Sequence, residues 1–241
     1  MINPIAIPVL LTSAINVSSS QTKLLDVNAR LKATIKSIHQ WLLISGVERI
    51  VICDGSGYDL TEHINELRLV KPEVDIEAIY FTNDVIAVGK WGKGYGEGEI
   101  INYALAHSMI LKDAQFFAKC TGKLWVENFA ACLGQFNGFA SFDYKGWIKP
   151  HRIDTRFYII NKDYYLEKLA NIYKRVDDKN GFYLEHTFRD GLAELRLSQY
   201  VMYPTPRIFG ISGSMGIEYG QDKLKNILRD ARSLLIKLAK L

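Results

Sequence analysis

Short apolar runs that end on small or polar residues, separated by helix-periodic segments, fill the first half of the chain and leave it few architectures. Residues 5–11 are apolar and lead into Thr12 and Ser13. Over residues 22–44, Leu24, Leu25, Leu31, Ile35, Ile38, Trp41 and Leu42 recur on one helical face, and Gly46 is a natural stop. Residues 49–54 read as a second buried strand closing on Asp54 and the turn Gly55-Ser56-Gly57. Residues 59–70 suit a short helix, 76–81 a third strand, 97–111 a helix and 115–119 a fourth strand. This alternation predicts an α/β fold with a mostly parallel central sheet flanked by helices. Ligands of such sheets bind beyond the carboxyl ends of the strands. Thr12, Ser13, Asp54 and the segments after the third and fourth strands are therefore expected on one rim.

The second half is less regular. Residues 139–143 and 156–160 look like strands, 162–174 and 184–197 like helices, and 200–211 like an extended segment. A core of this size fits one domain, taken as residues 1–220, followed by a basic amphipathic helix over 221–241. The 48% hydrophobic and 23% charged composition excludes a disordered chain. Residues 221–241 hold six basic residues against Asp222 and Asp230, which equals the +4 of the whole chain. Excess charge confined to one segment argues against a nucleic-acid binder, which needs a broader basic face. Leu224, Ile227, Leu228, Ala231, Leu234, Leu235 and Leu238 follow helical spacing. Such a helix either lies on an anionic membrane surface or closes the domain with its basic face in solvent.

Cys53, Cys120 and Cys132 lack metal-ligand spacing and two of them lie in apolar runs, which fits a reducing, cytoplasmic setting. The N-terminus does not read as a signal peptide and no stretch is long enough to span a membrane.

The richest stretch for function is 79–128. Residues 89–98 (Gly-Lys-Trp-Gly-Lys-Gly-Tyr-Gly-Glu-Gly) read as a glycine-rich loop feeding a helix. Main-chain amides of Gly94 and Gly96, the helix N-terminus and Lys93 would suit an anion. The spacing is neither that of a Walker loop nor of a dinucleotide fingerprint, and a plain surface loop is the alternative. Trp91 and Tyr95 would cover a sugar or base, or anchor the loop. Lys119, Thr121 and Lys123 follow the fourth strand and alternate onto one face, as phosphate contacts or as ordinary edge lysines. Arg207, Ser212 and Ser214 flank a second small-residue segment and are candidate phosphate or acceptor contacts. Together these point to a phosphorylated ligand, above all a nucleotide-activated sugar.

With these residues in place, the chain resembles over most of its length a small bacterial glycosyltransferase of the GT-A type, of the sort encoded with capsule or lipopolysaccharide genes. The resemblance rests on Leu10 to Ile15, on Ile50-Val51-Ile52-Cys53-Asp54 with Gly55 and Gly57, and on Gly92-Lys93-Gly94-Tyr95-Gly96-Glu97. It rests also on Lys119-Cys120-Thr121-Gly122-Lys123 with Asn128, and on Gly210 to Ser214. It implies a GT-A-like fold and a nucleotide-sugar donor whose base and ribose meet Thr12, Ser13 and Asp54. It implies too a glycan or lipid-linked glycan acceptor, and a site on the inner face of the inner membrane. Most members carry Asp-X-Asp after the fourth strand to hold Mg2+ or Mn2+; that motif occurs nowhere here, and the place reads Lys119 to Lys123. Fixed cations would then take over the stabilisation of the departing nucleotide, so the expectation is transfer without a metal and no certain cofactor.

Inverting transfer needs a base for the acceptor hydroxyl. Glu185, an acid opening a helix after a loop, matches the position of the base in inverting GT-A enzymes, with His186 beside it; a first-turn Glu that complements the helix dipole is the structural alternative. Asp143 and Asp154 are further acids near strand ends. The rival readings are a sugar-phosphate nucleotidyltransferase, whose basic glycine-rich loop should directly follow the first strand, and a non-catalytic nucleotide-sugar-binding protein.

Overall fold

The computed structural model describes residues 6–17, 24–213, 216–220 and 222–241; Ser214 lies outside them. A six-stranded sheet runs in the order β3 (Asp75–Tyr80), β2 (Arg49–Asp54), β1 (Val9–Ser13), β4 (Phe116–Thr121), β7 (Arg152–Asn161) and β6 (Ala140–Lys145). The first four strands are mutually parallel, and β7 and β6 add antiparallel pairs at one side. A small antiparallel sheet joins β5 (Leu124–Val126), β8 (Ile208–Ile211) and β9 (Glu218–Tyr219). No sequence pattern announced that sheet, because its strands have only two to four residues.

Strand alternation divides the core between the two faces of the sheet. Val9, Leu11, Ile50, Ile52, Ala118 and Cys120 face α1 (Val27–Leu43) and α2 (Thr61–Val70). Leu10, Val51, Cys53 and Phe117 face the other layer. That layer holds α4 (Lys93–His107), preceded by α3 (Val85–Trp91), and α8 (Leu184–Gly191). Helices α5 (Met109–Lys112), α6 (Phe129–Gly134) and α7 (Lys162–Tyr164) are short. The predicted helix over 162–174 is broken, passing from α7 into a π-helical turn, Tyr165–Leu169, and a 3-10 turn, Ile172–Arg175. Ser37 and Trp41 of α1 both donate to the Leu124 carbonyl, at 2.7 and 2.9 Å, and so tie the helix to the turn after β4.

The glycine-rich segment is helix, not loop. α3 stops at Gly92, whose φ of 105° is open to glycine and strained for other residues, and α4 starts at once. Gly94, Gly96 and Gly98 recur on the buried side of α4, where they let the helix sit close to its neighbours. A Cβ on Gly98 would lie 2.2 Å from Tyr173 Cβ, and one on Gly94 would lie 3.1 Å from Leu184 Cβ.

The C-terminal helix α9 (Lys223–Ala239) packs with its polar side inward. Arg229 and Arg232 both reach the buried Asp143, which is thereby a structural anchor and does not line the cleft described below. Arg207 pairs with Asp230 on the same helix.

Gly98→Ala should lower stability by about 1–3 kcal/mol by overpacking α4 against Tyr173. Denaturant melts measure this, and a neutral result would mean that Tyr173 can move aside.

Candidate functional site

A cleft of about 760 Å3 opens at the carboxyl ends of the parallel strands. β1 contributes Thr12 and Ser13, the end of β4 and the turn after it contribute Thr121 and Lys123, and α4 contributes Lys93, Gly94, Gly96 and Glu97. Ser212 and Glu185 close it from the second half of the chain. Nine of the expected site residues thus meet, as strand topology demands, with Glu97 beside them.

The centre of the cleft is a pair of cations. Lys123 is 4% exposed and Arg30, from the first turn of α1, is 5% exposed. A Cβ on Gly213 would lie 3.4 Å from Lys123 Cε and 3.5 Å from Arg30 Nη1, so both side chains border one small space. Arg30 is fixed by donating to the carbonyls of Ala14 and Leu24. The Lys123 ammonium makes no ion pair among the described residues. Burial first, and the neighbouring Arg30 second, push its pKa down to about 7. Arg30 was missed in the sequence because it sits inside an ordinary helical pattern; only the docking of α1 onto Leu124 turns it toward Lys123.

Unpaired polar atoms line the same space. Ser13 Oγ, Asn83 Oδ1 and Asp178 Oδ1 are buried without hydrogen-bond partners among the described residues, an arrangement that native interiors mostly avoid unless a ligand or water completes it. On the far wall, β7 presents Arg152, Asp154 and Arg156. The buried Asp154 pairs with the half-buried Arg156, whose guanidinium lies 4.7 Å from the Tyr219 ring centroid. Glu185 lines this end, and desolvation raises its pKa, with Glu97 and Asp154 adding to the rise.

Four expected residues lie outside the cleft. Asp54 is 0% exposed and accepts from the amides of Ile15, at 2.9 Å, and Ser56, at 2.8 Å, and from the Ser56 hydroxyl. With both oxygens occupied by its own loops, it shapes the rim rather than a ligand. Lys119 is buried at the Glu97 carboxylate and donates to the Thr155 carbonyl at 2.8 Å. It does not share a face with Lys123, because β4 stops at Thr121 and Gly122 turns the chain, donating to Thr12 O at 2.8 Å. His186 Nδ1 accepts from Tyr183 N at 3.0 Å, capping α8, and Arg207 is engaged by Asp230 and Thr205.

The helix N-terminus is likewise occupied. Gly94 N donates to Asp178 Oδ2 at 3.2 Å, so the chain's own carboxylate takes the place expected for phosphate. Trp91 and Tyr95 do not line the cleft; Tyr95 packs edge-on against Tyr173 at 4.9 Å and serves as an anchor.

The carboxylates here fit a divalent metal poorly. Glu97 is committed to Lys119 and Asp154 to Arg156, while Asp178 gives one oxygen to the α4 amide and leaves only Oδ1 open. The end of β4 offers lysine where a metal needs oxygen donors. Among the described residues no three acidic, His or Cys side chains cluster as a metal site.

Lys123 also has a stability signature. An ordinary lysine keeps its proton to about 10.4, whereas the folded value is about 7. Below about 7 the folded chain holds a buried ammonium at full cost, and that cost is relieved as pH rises toward the unfolded value. Lys123→Met should therefore raise Tm below neutrality, with the gain shrinking at alkaline pH. Calorimetry across that range checks it; a lower Tm at acid pH would show the ammonium to be well solvated.

No protein-family model matches the chain, and no curated protein matches it in sequence. Loose structural likenesses exist. The mannosyltransferase Ktr4p from S. cerevisiae matches over 85% of this chain and 70% of its own, with 12% identity and a TM-score of 0.48. Core-mannan synthase A from Aspergillus fumigatus, in a Mn/GDP form, matches over 95% and 84%, with 10% identity and a TM-score of 0.47. The nucleoside-diphosphate-sugar pyrophosphorylase from Vibrio cholerae RC9 matches over 78% and 88%, with 10% identity and a TM-score of 0.46. Likenesses this loose do not choose between the chemistries these names span; that choice falls to the residues of the cleft.

Proposed function

We propose that the protein is a glycosyltransferase that moves a sugar from a nucleotide-diphosphate donor to a bacterial surface glycan of the capsule or lipopolysaccharide kind. The observation that carries this reading is the buried Arg30–Lys123 pair. The Asp54 carboxylate attracts both but is engaged by its own loops, and a diphosphate would add negative charge with oxygens for both cations.

In this reading the nucleoside lies toward Thr12, Ser13 and Asn83, and Lys93 closes on the phosphates from the α4 side. The acceptor hydroxyl oxygen attacks the anomeric carbon and its proton passes to the Glu185 carboxylate. The bond from that carbon to the diphosphate oxygen breaks, and Arg30 and Lys123 take up the developing charge. A raised pKa makes Glu185 a stronger base than an exposed carboxylate. No step calls on a metal.

The same cations would also serve a nucleoside triphosphate, which keeps a sugar-phosphate nucleotidyltransferase as the second reading. Pyrophosphate release from a triphosphate would select it. A non-catalytic nucleotide-sugar binder would give neither that nor donor turnover.

A thermal-shift screen against UDP-, GDP-, CMP- and dTDP-sugars, with and without Mg2+ or Mn2+, should show stabilisation by one nucleotide class. Lys123→Met should weaken that binding by roughly 10- to 100-fold. Because the ammonium form takes the anion, affinity should be greatest below about pH 7 and fall above it. Unchanged affinity in Lys123→Met would remove the diphosphate assignment.

Glu185→Gln should keep donor affinity and lower turnover by roughly 100- to 10,000-fold. Full turnover in that variant would dismiss Glu185 as the base.

A further inference from the structure

Helix α9 is amphipathic, yet it is mounted the wrong way round for a closing helix. Its polar side meets the domain, with Arg229 and Arg232 on Asp143 and with Asn226 and Ser233 buried. On the opposite side Leu224, Ile227, Leu228, Leu235 and Leu238 are each between 56% and 71% exposed. At 3.6 residues per turn these five fall within a stripe about 100° wide. Lys223 and Lys225 lie to its two sides.

A second segment adds to that surface. Arg232 donates from Nη1 to the Gly146 carbonyl at 2.7 Å, which holds the loop of residues 145–149 against α9. At its tip Trp147 is 70% and Ile148 59% exposed, between the exposed Lys145 and Lys149. Tyr144 Oη donates to the Trp147 carbonyl at 2.5 Å, which fixes the backbone there. Two separate segments in contact thus both present large apolar side chains framed by lysines.

We infer that this surface docks on an anionic phospholipid surface, with α9 lying in the interfacial plane, its leucines among the acyl chains and its lysines at the headgroup phosphates. Charge complementarity favours lipid over a second copy of the chain, since a two-fold contact would set these lysines against their own kind. Trp147 fits the interfacial preference of tryptophan. No described helix is long and apolar enough to cross a membrane. Lys145 also lines the cleft, which would bring the cleft mouth near the headgroups. The inference stands whether or not the transferase reading does.

Flotation of the full chain with vesicles tests it. The chain should float with phosphatidylcholine mixed equally with phosphatidylglycerol and not with phosphatidylcholine alone, and high salt should weaken the association. The double variant Leu228→Ser/Leu235→Ser should bind at least about tenfold more weakly, and Lys223→Glu/Lys225→Glu roughly fivefold more weakly per lysine. Melting curves should match the parent, because all four side chains are exposed. Absence of flotation on the anionic vesicles, or equal flotation of the leucine variant, would overturn the proposal. So would a dimer in light scattering that the leucine variant abolishes while vesicle binding stays absent, since the stripe would then be an interface between copies.

Discussion

The close approach of α4 to the sheet and to α8 governs the cleft. Gly94, Gly96 and Gly98 remove the side chains that would hold α4 away. Glu97, on the same turns, then reaches down to Lys119, which strand alternation has pointed into that layer. Removing the half-buried Glu97 carboxylate would leave the buried Lys119 ammonium uncompensated, at a cost of about 3–5 kcal/mol. The same approach lets Asp178 close on the α4 amides and sets Leu184, and with it Glu185, at the cleft edge. Packing that looks merely structural therefore sets the distance between the two walls.

On the opposite wall the governing contact is between α1 and the turn after β4. Ser37 and Trp41 fix the carbonyl next to Lys123, and the same helix carries Arg30. The result is a locally unfavourable arrangement of two cations in low dielectric. Lys119 and Lys123 make an instructive contrast: both are buried, four residues apart, yet one pairs directly with a carboxylate while the other sits beside a guanidinium and feels Asp54 and Glu97 without an ion pair to either. Sites that break the usual rule of charge pairing are where function is to be sought.

The inverted mounting of α9 follows the same logic at the surface. Asp143 and Asp230 select its arginine face for the domain, and the leucine stripe is left outside as a consequence.

The sequence by itself determined the strand–helix alternation, a mostly parallel sheet and the gathering of strand ends on one rim, because those follow from local periodicity, whereas the order β3–β2–β1–β4 came from the tertiary structure. It also supplied Thr12, Lys123 and Glu185 as members of that rim. It misread the conformation of 89–98 as loop, since glycines that permit close helix packing and glycines that open a loop have the same composition. Only the tertiary structure decided which lysine is paired with a carboxylate, that Asp54 is engaged by its own loops, and that Arg30 lines the cleft. Those outcomes depend on contacts between residues up to a hundred positions apart, and no local pattern encodes which of two similar side chains will find its partner first.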